Sequence, residues 1–181
     1  MKRRTLAAAA LRERAQAIAV DDFIAEFGEV AIVLEPDPRD LDPEATFLAR
    51  PTAVDASLDN DVERVLLMLR TFVKLDVAFV RRAPPGIELL VGRNRDAALL
   101  LVDASVSKRH ALLHWEGDGL VLRDAGSRHG TFVNGDAVGA TPVRLTDGDA
   151  VRFGVCQVIV LSSRILHAQL RAWKERVRPA R

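Results

Sequence analysis

Between residues 76 and 163 the chain is cut into short apolar runs by turn-forming residues, and this spacing constrains the fold more than any other feature. The runs fall at 77–80, 87–91, 99–102, 111–115, 120–123, 131–133, 137–138, 150–153 and 157–162. All are too short for ordinary helices, and several are rich in β-branched residues, as strands are. Between them stand Pro84-Pro85-Gly86, Gly117-Asp118-Gly119 and Asn134-Gly135. Asn-Gly between two apolar runs is the strongest short hairpin signal, because a type I′ turn needs positive φ at both central positions. Many short strands with regular turn signals predict a mainly β protein, a β-sandwich.

The rest of the chain reads differently. Residues 5–20 are rich in Ala, Leu and Arg, all good helix formers, and Leu11, Ala15 and Ile18 share one face. Asp22 to Phe27 make a further helical turn ended by Gly28, and residues 30–34 are a β-branched run that reads as a short strand. Pro36, Pro38, Pro43 and Pro51 then break the pattern, so 35–59 is expected to be a linker or an extended lid. Asn60 or Asp61 is a fair N-cap for a helix whose apolar residues, Val62, Val65, Leu66, Leu69, Phe72 and Val73, recur at spacings of three and four. After Ser163 the helical period returns, with Leu166, Leu170, Trp173 and Val177 on one stripe and Arg164, Arg171, Lys174, Arg176 and Arg178 elsewhere. The expected organisation is an extension over 1–75, a sandwich over 76–163 and a basic amphipathic helix over 164–181.

Composition narrows the function. With 181 residues, 49% of them hydrophobic, the chain has enough for one domain with an appendage and a packed core. The formal net charge of +1 conceals an acidic stretch over 21–61 and a basic one over 164–181. Cys156 is the single cysteine, which excludes an internal disulfide and a thiolate metal site and points to the cytoplasm. Met1-Lys2-Arg3-Arg4 and the alanines after it mimic an export signal, but Arg12-Glu13-Arg14 ends the apolar part too early. No run is long enough to span a membrane, and no basic-aromatic interleaving suggests nucleic acid. The turn carboxylates Asp103, Asp124, Asp147 and Asp149 match no metal-ligand spacing, so neither a metal nor a cofactor is expected.

Three loops at the ends of expected strands carry the chemistry. They are Gly92-Arg93, Ser107-Lys108-Arg109-His110, and Ser127-Arg128-His129-Gly130-Thr131 with Asn134-Gly135 beyond. Together they offer Arg93, Lys108, Arg109, Arg128 and His129, and the hydroxyls of Ser105, Ser107 and Ser127. Cations beside short hydroxyls suit a phosphate dianion, because charge-assisted hydrogen bonds are about twice as strong as neutral ones. Ser107 and His110 also invite a nucleophilic reading, but no Gly-x-Ser-x-Gly elbow or third partner accompanies them, so no enzyme is expected.

In order and spacing these pieces, with the Asp147-Gly148-Asp149 and Phe153-Gly154 turns, resemble the forkhead-associated (FHA) family from about Asp76 to Ser163. Residues 62–80 also look superficially like the start of a GAF sensor domain, but the remainder of such a domain is missing. The FHA resemblance implies a β-sandwich of about 10–11 strands and a module that binds phosphothreonine peptides. Arg93 would be the main phosphate clamp through its planar fork, which lysine does not reproduce. Ser107 would give its hydroxyl and its backbone N–H, with Lys108 and Arg128 adding charge. His129 stands where the family usually has the asparagine that contacts the peptide backbone. Gly92, His110, Asn134 and Gly135 would structure the loops. The implied partners are a Thr-phosphorylated protein and the Ser/Thr kinase that modifies it, with no nucleic acid and no membrane. Self-association or an intramolecular contact through the N-terminal segment, which holds Thr46, is a further expectation. The alternative is a phosphate-independent scaffold, with His129 having removed the dependence.

Overall fold

The computed structural model describes residues 3–34 and 74–172. Its elements are β1 (Arg3–Ala7), α1 (Ala8–Ala17), α2 (Val20–Phe27), β2 (Val30–Leu34), β3 (Lys74–Val80), β4 (Leu89–Gly92), β5 (Leu99–Leu100), β6 (Ala111–Glu116) and β7 (Gly119–Asp124). They continue with β8 (Thr131–Val133), β9 (Asp136–Val138), β10 (Val143–Arg144), β11 (Ala150–Phe153), β12 (Cys156–Ser162) and α3 (Ser163–Ala172). The expected linker over 35–59, the helix over 62–73, and Trp173 and Val177 at the C-terminal end lie outside the described residues.

Two sheets face each other. One has seven strands in the order β1-β3-β2-β12-β11-β8-β9, the other five in the order β10-β7-β6-β4-β5. The pairs are antiparallel except β4 with β5, where Val91 faces Leu99 and Gly92 faces Leu100. The core between the sheets takes alternate residues of each strand. Ile32, Ala78, Val80, Val158 and Val160 point into it from the seven-stranded sheet, and Leu113, Trp115, Leu120 and Leu122 from the other. The mainly β sandwich is thus as expected from the spacing of the short runs.

The intervening residues of β2, β3 and β12 are equally apolar, because the outer face of the large sheet is also covered. Ala31, Val33, Val77, Phe79, Ile159 and Leu161 pack there against Leu11, Ala15, Phe23, Leu166 and Leu170 of the three helices. Phe23 lies at the centre of this second core, its ring 6.3 Å from Phe79 and 5.2 Å from His167. His167 in turn donates from Nε2 to the carbonyl of Ile18 at 3.1 Å. At the end of α2, Gly28 takes φ 128° and its N–H reaches the carbonyl of Ile24 at 2.8 Å. The Arg81 guanidinium donates to the carbonyls of Ala25 and Glu26, which have no partner within the helix. No helix among the described residues is long and apolar enough to cross a membrane.

Two expectations need correction. The boundary drawn at residue 76 runs through β3, and the segment before it is no appendage to the sheet. β2 lies inside it, with Val30–Leu34 paired to β3 on one side and to β12 on the other. A run of five apolar residues buried on both faces belongs in a sheet interior. The strand was visible in the sequence, but its position depends on pairing with residues more than forty and more than one hundred positions away. The helix expected over 5–20 is also interrupted. Arg3–Ala7 pair with Lys74–Ala78 as an edge strand, because an open edge of β3 offers a full row of hydrogen-bond partners that helix propensity alone does not outweigh.

Candidate functional site

The connections β4–β5, β5–β6, β7–β8 and β11–β12 gather at one end of the sandwich, tied to one another by hydrogen bonds. The N–H of Arg93 donates to the carbonyl of Ser107 at 3.0 Å, and that of Asn94 to the carbonyl of Lys108 at 3.3 Å. The N–H of Gly154 reaches the carbonyl of Gly130 at 3.1 Å, and that of Val155 reaches Ser105 Oγ at 3.0 Å. Between these loops lies a cleft of about 290 Å³ lined by Arg93, Ala104, Ser105, Val106, Ser107, Lys108, Arg128 and His129. The five residues expected to bind the phosphopeptide, Arg93, Ser107, Lys108, Arg128 and His129, all line this one cleft, whereas Arg109 and Ser127 do not. Arg93, Lys108, Arg128 and His129 are exposed and Ser107 is half-buried.

Arg93 is held from below. Its Nε donates to the carbonyl of Val106 at 3.2 Å, which restrains the plane of the guanidinium and leaves both terminal nitrogens without a partner among the described residues, in a side chain that lines the cleft. Gly92, before it, is needed for closeness rather than for a turn. A Cβ there would sit 2.3 Å from the carbonyl oxygen of Lys108, so any larger residue would push the Ser107–Lys108 backbone away from Arg93.

Ser107 differs from expectation in one respect. Its backbone N–H is not offered to a ligand, since it donates to His110 Nδ1 at 3.0 Å. Its Oγ accepts the Arg128 N–H at 3.1 Å, which leaves the hydroxyl proton to be donated into the cleft. His110 is wholly buried. Because Nδ1 accepts, the proton resides on Nε2, which donates to the carbonyl of Gly130 at 3.1 Å. One neutral imidazole therefore joins the β5–β6 and β7–β8 loops, and its ring packs edge-on against Phe153 at 5.7 Å. With both nitrogens engaged in backbone contacts, His110 is not positioned as a base for Ser107.

Asp124 organises the third loop, a role that the sequence reading did not assign. Its Oδ1 accepts the N–H groups of Gly126 and Ser127 at 2.7 and 2.8 Å, and its Oδ2 accepts the hydroxyls of Ser127 and Thr131 at 2.7 and 2.6 Å. Burial acts to raise the pKa of this carboxyl, but the four hydrogen bonds outweigh it, and the group titrates below its ordinary value. Asp103 acts similarly, accepting the N–H and hydroxyl of Ser105 at 2.7 and 2.6 Å. The hydroxyls of Ser105 and Ser127 are thus spent within their own loops and are not offered to a ligand. The spacings Asp-x-Ser and Asp-x-x-Ser carry this signal, because short acidic side chains bond the backbone two or three residues on.

Asn134 and Gly135 adopt φ 52° and 92° and shape the other end of β8, away from the cleft. There the Asn134 amide donates to Asp149 at 2.8 Å and accepts the Ala150 N–H at 2.9 Å. No cluster of three or more His, Cys, Asp or Glu side chains arranged to hold a metal occurs among the described residues.

Comparison with known proteins converges on the same residues. The FHA domain family matches residues 89–154. The chain is 39% identical over 71 residues to the FHA domain-containing protein FhaA of Mycobacterium tuberculosis, across 39% of this chain and 13% of FhaA. It is 31% identical over 106 residues to the glycogen accumulation regulator GarA of the same organism, across 48% of this chain and 64% of GarA. The chain therefore spans less than two thirds of the length of these relatives. A crystal structure of the FhaA FHA domain complexed with the intracellular domain of Rv3910 superposes with a TM-score of 0.44 at 25% identity, covering 72% of this chain and 98% of that one. Residues 89–154, which supply the strands and loops around the cleft, are an FHA domain.

Proposed function

We propose that this chain is a signalling adaptor whose cleft captures a phosphothreonine on a partner protein modified by a Ser/Thr kinase. The observation that carries this is the meeting of Arg93, Ser107, Lys108, Arg128 and His129 in one cleft whose lining holds no carboxylate. Arg93 presents two free terminal nitrogens, Ser107 one hydroxyl proton, and Lys108 and Arg128 add charge. Charge-assisted bonds of this kind contribute on the order of 1.5–3 kcal/mol each, and ordering the peptide offsets part of the sum, giving affinities in roughly the micromolar range. Binding is the proposed activity, since the cleft gathers donors for an anion from Arg93, Ser107, Lys108 and Arg128.

A phosphate-independent scaffold is the competing function, favoured by His129 in place of asparagine and by the capture of the Ser107 N–H by His110. Titration calorimetry on the full chain with matched phosphorylated and plain threonine peptides separates the two. Affinity that requires the phosphate supports capture, whereas equal binding of both peptides supports the scaffold.

Topology also bears on an intramolecular partner. Leu34 pairs with Asp76 and with Val158, and Val158 follows closely on the β11–β12 turn, whose Val155 N–H donates to Ser105 of the cleft lining. The two strands flanking residues 35–73 thus end and begin at the cleft end of the sandwich, which favours Thr46, when phosphorylated, as a tethered competitor. Replacing 36–73 by a short Gly-Ser turn between β2 and β3 tests this, with tighter binding of external phosphopeptide as the expected result.

A further inference from the structure

The cleft end of the sandwich carries more positive charge than a single phosphate uses. The β4–β5 connection contributes Arg93 and Arg95, the β5–β6 connection Lys108 and Arg109, and the β7–β8 connection Arg128, all of them exposed. Of the carboxylates in the same loops, Asp103 and Asp124 are engaged in holding Ser105, Gly126, Ser127 and Thr131, which leaves Asp96 as the exposed one among them. None of the ion pairs among the described residues involves any of these five cations. The neighbouring exposed side chains Val102 and Val155, at 75% and 71%, bring no charge to balance them.

Arg93, Lys108 and Arg128 line the cleft, whereas Arg95 and Arg109 do not. Arg109 adjoins Lys108 in the chain and Arg95 follows Arg93 by two residues, so their Cα atoms lie within about 7 Å of the clamp residues. Both side chains are exposed, so their charges add to the field at this end of the sandwich. A dianion neutralises about two positive charges, and the clamp alone holds three. The outer pair therefore remains available to the residues on either side of the phosphothreonine.

Resting on the phosphothreonine function above, we infer that the chain selects phosphothreonines flanked by aspartate and glutamate, with Arg95 and Arg109 as the residues that set the preference. Flanking carboxylates gain attraction from a field of one sign, and flanking lysines meet like charge.

The test uses the full chain, fluorescence anisotropy and four peptides. Three carry phosphothreonine with alanine, aspartate/glutamate or lysine flanks, and the fourth is the unphosphorylated acidic peptide. The acidic phosphopeptide is expected to bind about tenfold tighter than the alanine one, the sum of two or three exposed pairs. The gap should shrink to under about threefold in the double variant Arg95→Gln, Arg109→Gln, and should narrow as salt is raised. The alanine-flanked phosphopeptide should bind the variant nearly as well as the parent, which shows that the clamp is intact. Equal affinity for the three phosphopeptides overturns the preference and leaves phosphothreonine capture standing. A gap that survives the double substitution overturns the assignment to Arg95 and Arg109. Plain acidic peptide binding as tightly as its phosphorylated twin overturns both, and marks the surface as a general polyanion site.

Discussion

Ser107 and His110 are joined by a bond in which the imidazole Nδ1 accepts the backbone N–H at 3.0 Å. This single contact decides what the cleft can offer. It removes one donor from the ligand side and, through the opposite nitrogen and Gly130, turns two separate loops into one wall. Neither loop contains regular secondary structure, and beside this side-chain bridge one backbone bond, from the Ala125 N–H to the His110 carbonyl at 3.0 Å, joins them.

Replacing His110 by alanine should therefore cost more than a cavity. The substitution leaves the Ser107 N–H and the Gly130 carbonyl without their side-chain partner and removes the edge-on contact with Phe153. A loss of about 3 kcal/mol in unfolding free energy is expected, read from urea denaturation at neutral pH. Phosphopeptide affinity should fall as well, because Ser107 and Arg128 lose their fixed spacing. A variant of unchanged stability would show that the loops are held by their backbone bonds alone.

Arg93→Ala tests the clamp. Its one side-chain bond, the part-buried contact from Nε to the Val106 carbonyl, contributes about 1 kcal/mol, so the melting temperature should move by only a few degrees. Phosphopeptide affinity should fall by roughly 100-fold, equivalent to about 2.7 kcal/mol. Arg93→Lys should restore only part of it, since an ammonium cannot make the planar two-pronged contact. Titration calorimetry of both variants against one phosphopeptide gives the comparison, and unchanged affinity in the alanine variant rules Arg93 out.

The sandwich strands β6 to β9, β11 and β12 were legible because each is a short apolar run between turn residues, and the cleft was legible because its residues sit in motifs at strand ends. Three features escaped for different reasons. β1 is built from residues that favour helix, and it is a strand only because the edge of β3 lies beside it. β10 has two residues, with Val143 over one third exposed, and carries no period at all. The internal use of Ser105 and Ser127 was hidden because a hydroxyl looks the same in sequence whether it faces a ligand or an aspartate.

Asp124 makes a prediction about acid. Its pKa is lowered in the folded state, so its contribution to stability is complete above the unfolded value of about 3.9. It is lost as pH falls through the lower folded value. Asp124→Asn should destabilise the protein by a similar amount at pH 5 and pH 7, and the difference from the parent should narrow at a third, lower pH below the ordinary carboxyl value of about 3.9. Urea midpoints at the three pH values check this. A gap that already closes near pH 5 would mean that the four bonds do not favour the charged form.

The place of β2 yields a prediction about boundaries. A fragment limited to residues 76–163 contains every motif of the cleft, yet it lacks the strand that pairs with both β3 and β12. Removing β2 leaves two rows of backbone groups unpaired in the middle of the seven-stranded sheet, and an open edge of that kind promotes association. It also strips Val77, Phe79, Ile159 and Leu161 of the helices that cover them. The fragment should therefore aggregate or melt without a cooperative transition, as followed by circular dichroism and size-exclusion chromatography. A chain that keeps residues 1–34 and 74–181, joined by a short turn, should melt cooperatively as a monomer, because Leu34 and Asp76 are already paired neighbours. If the bare fragment melts like the full chain, β2 and the helical layer are dispensable and the fold is only the two-layer sandwich expected from the sequence.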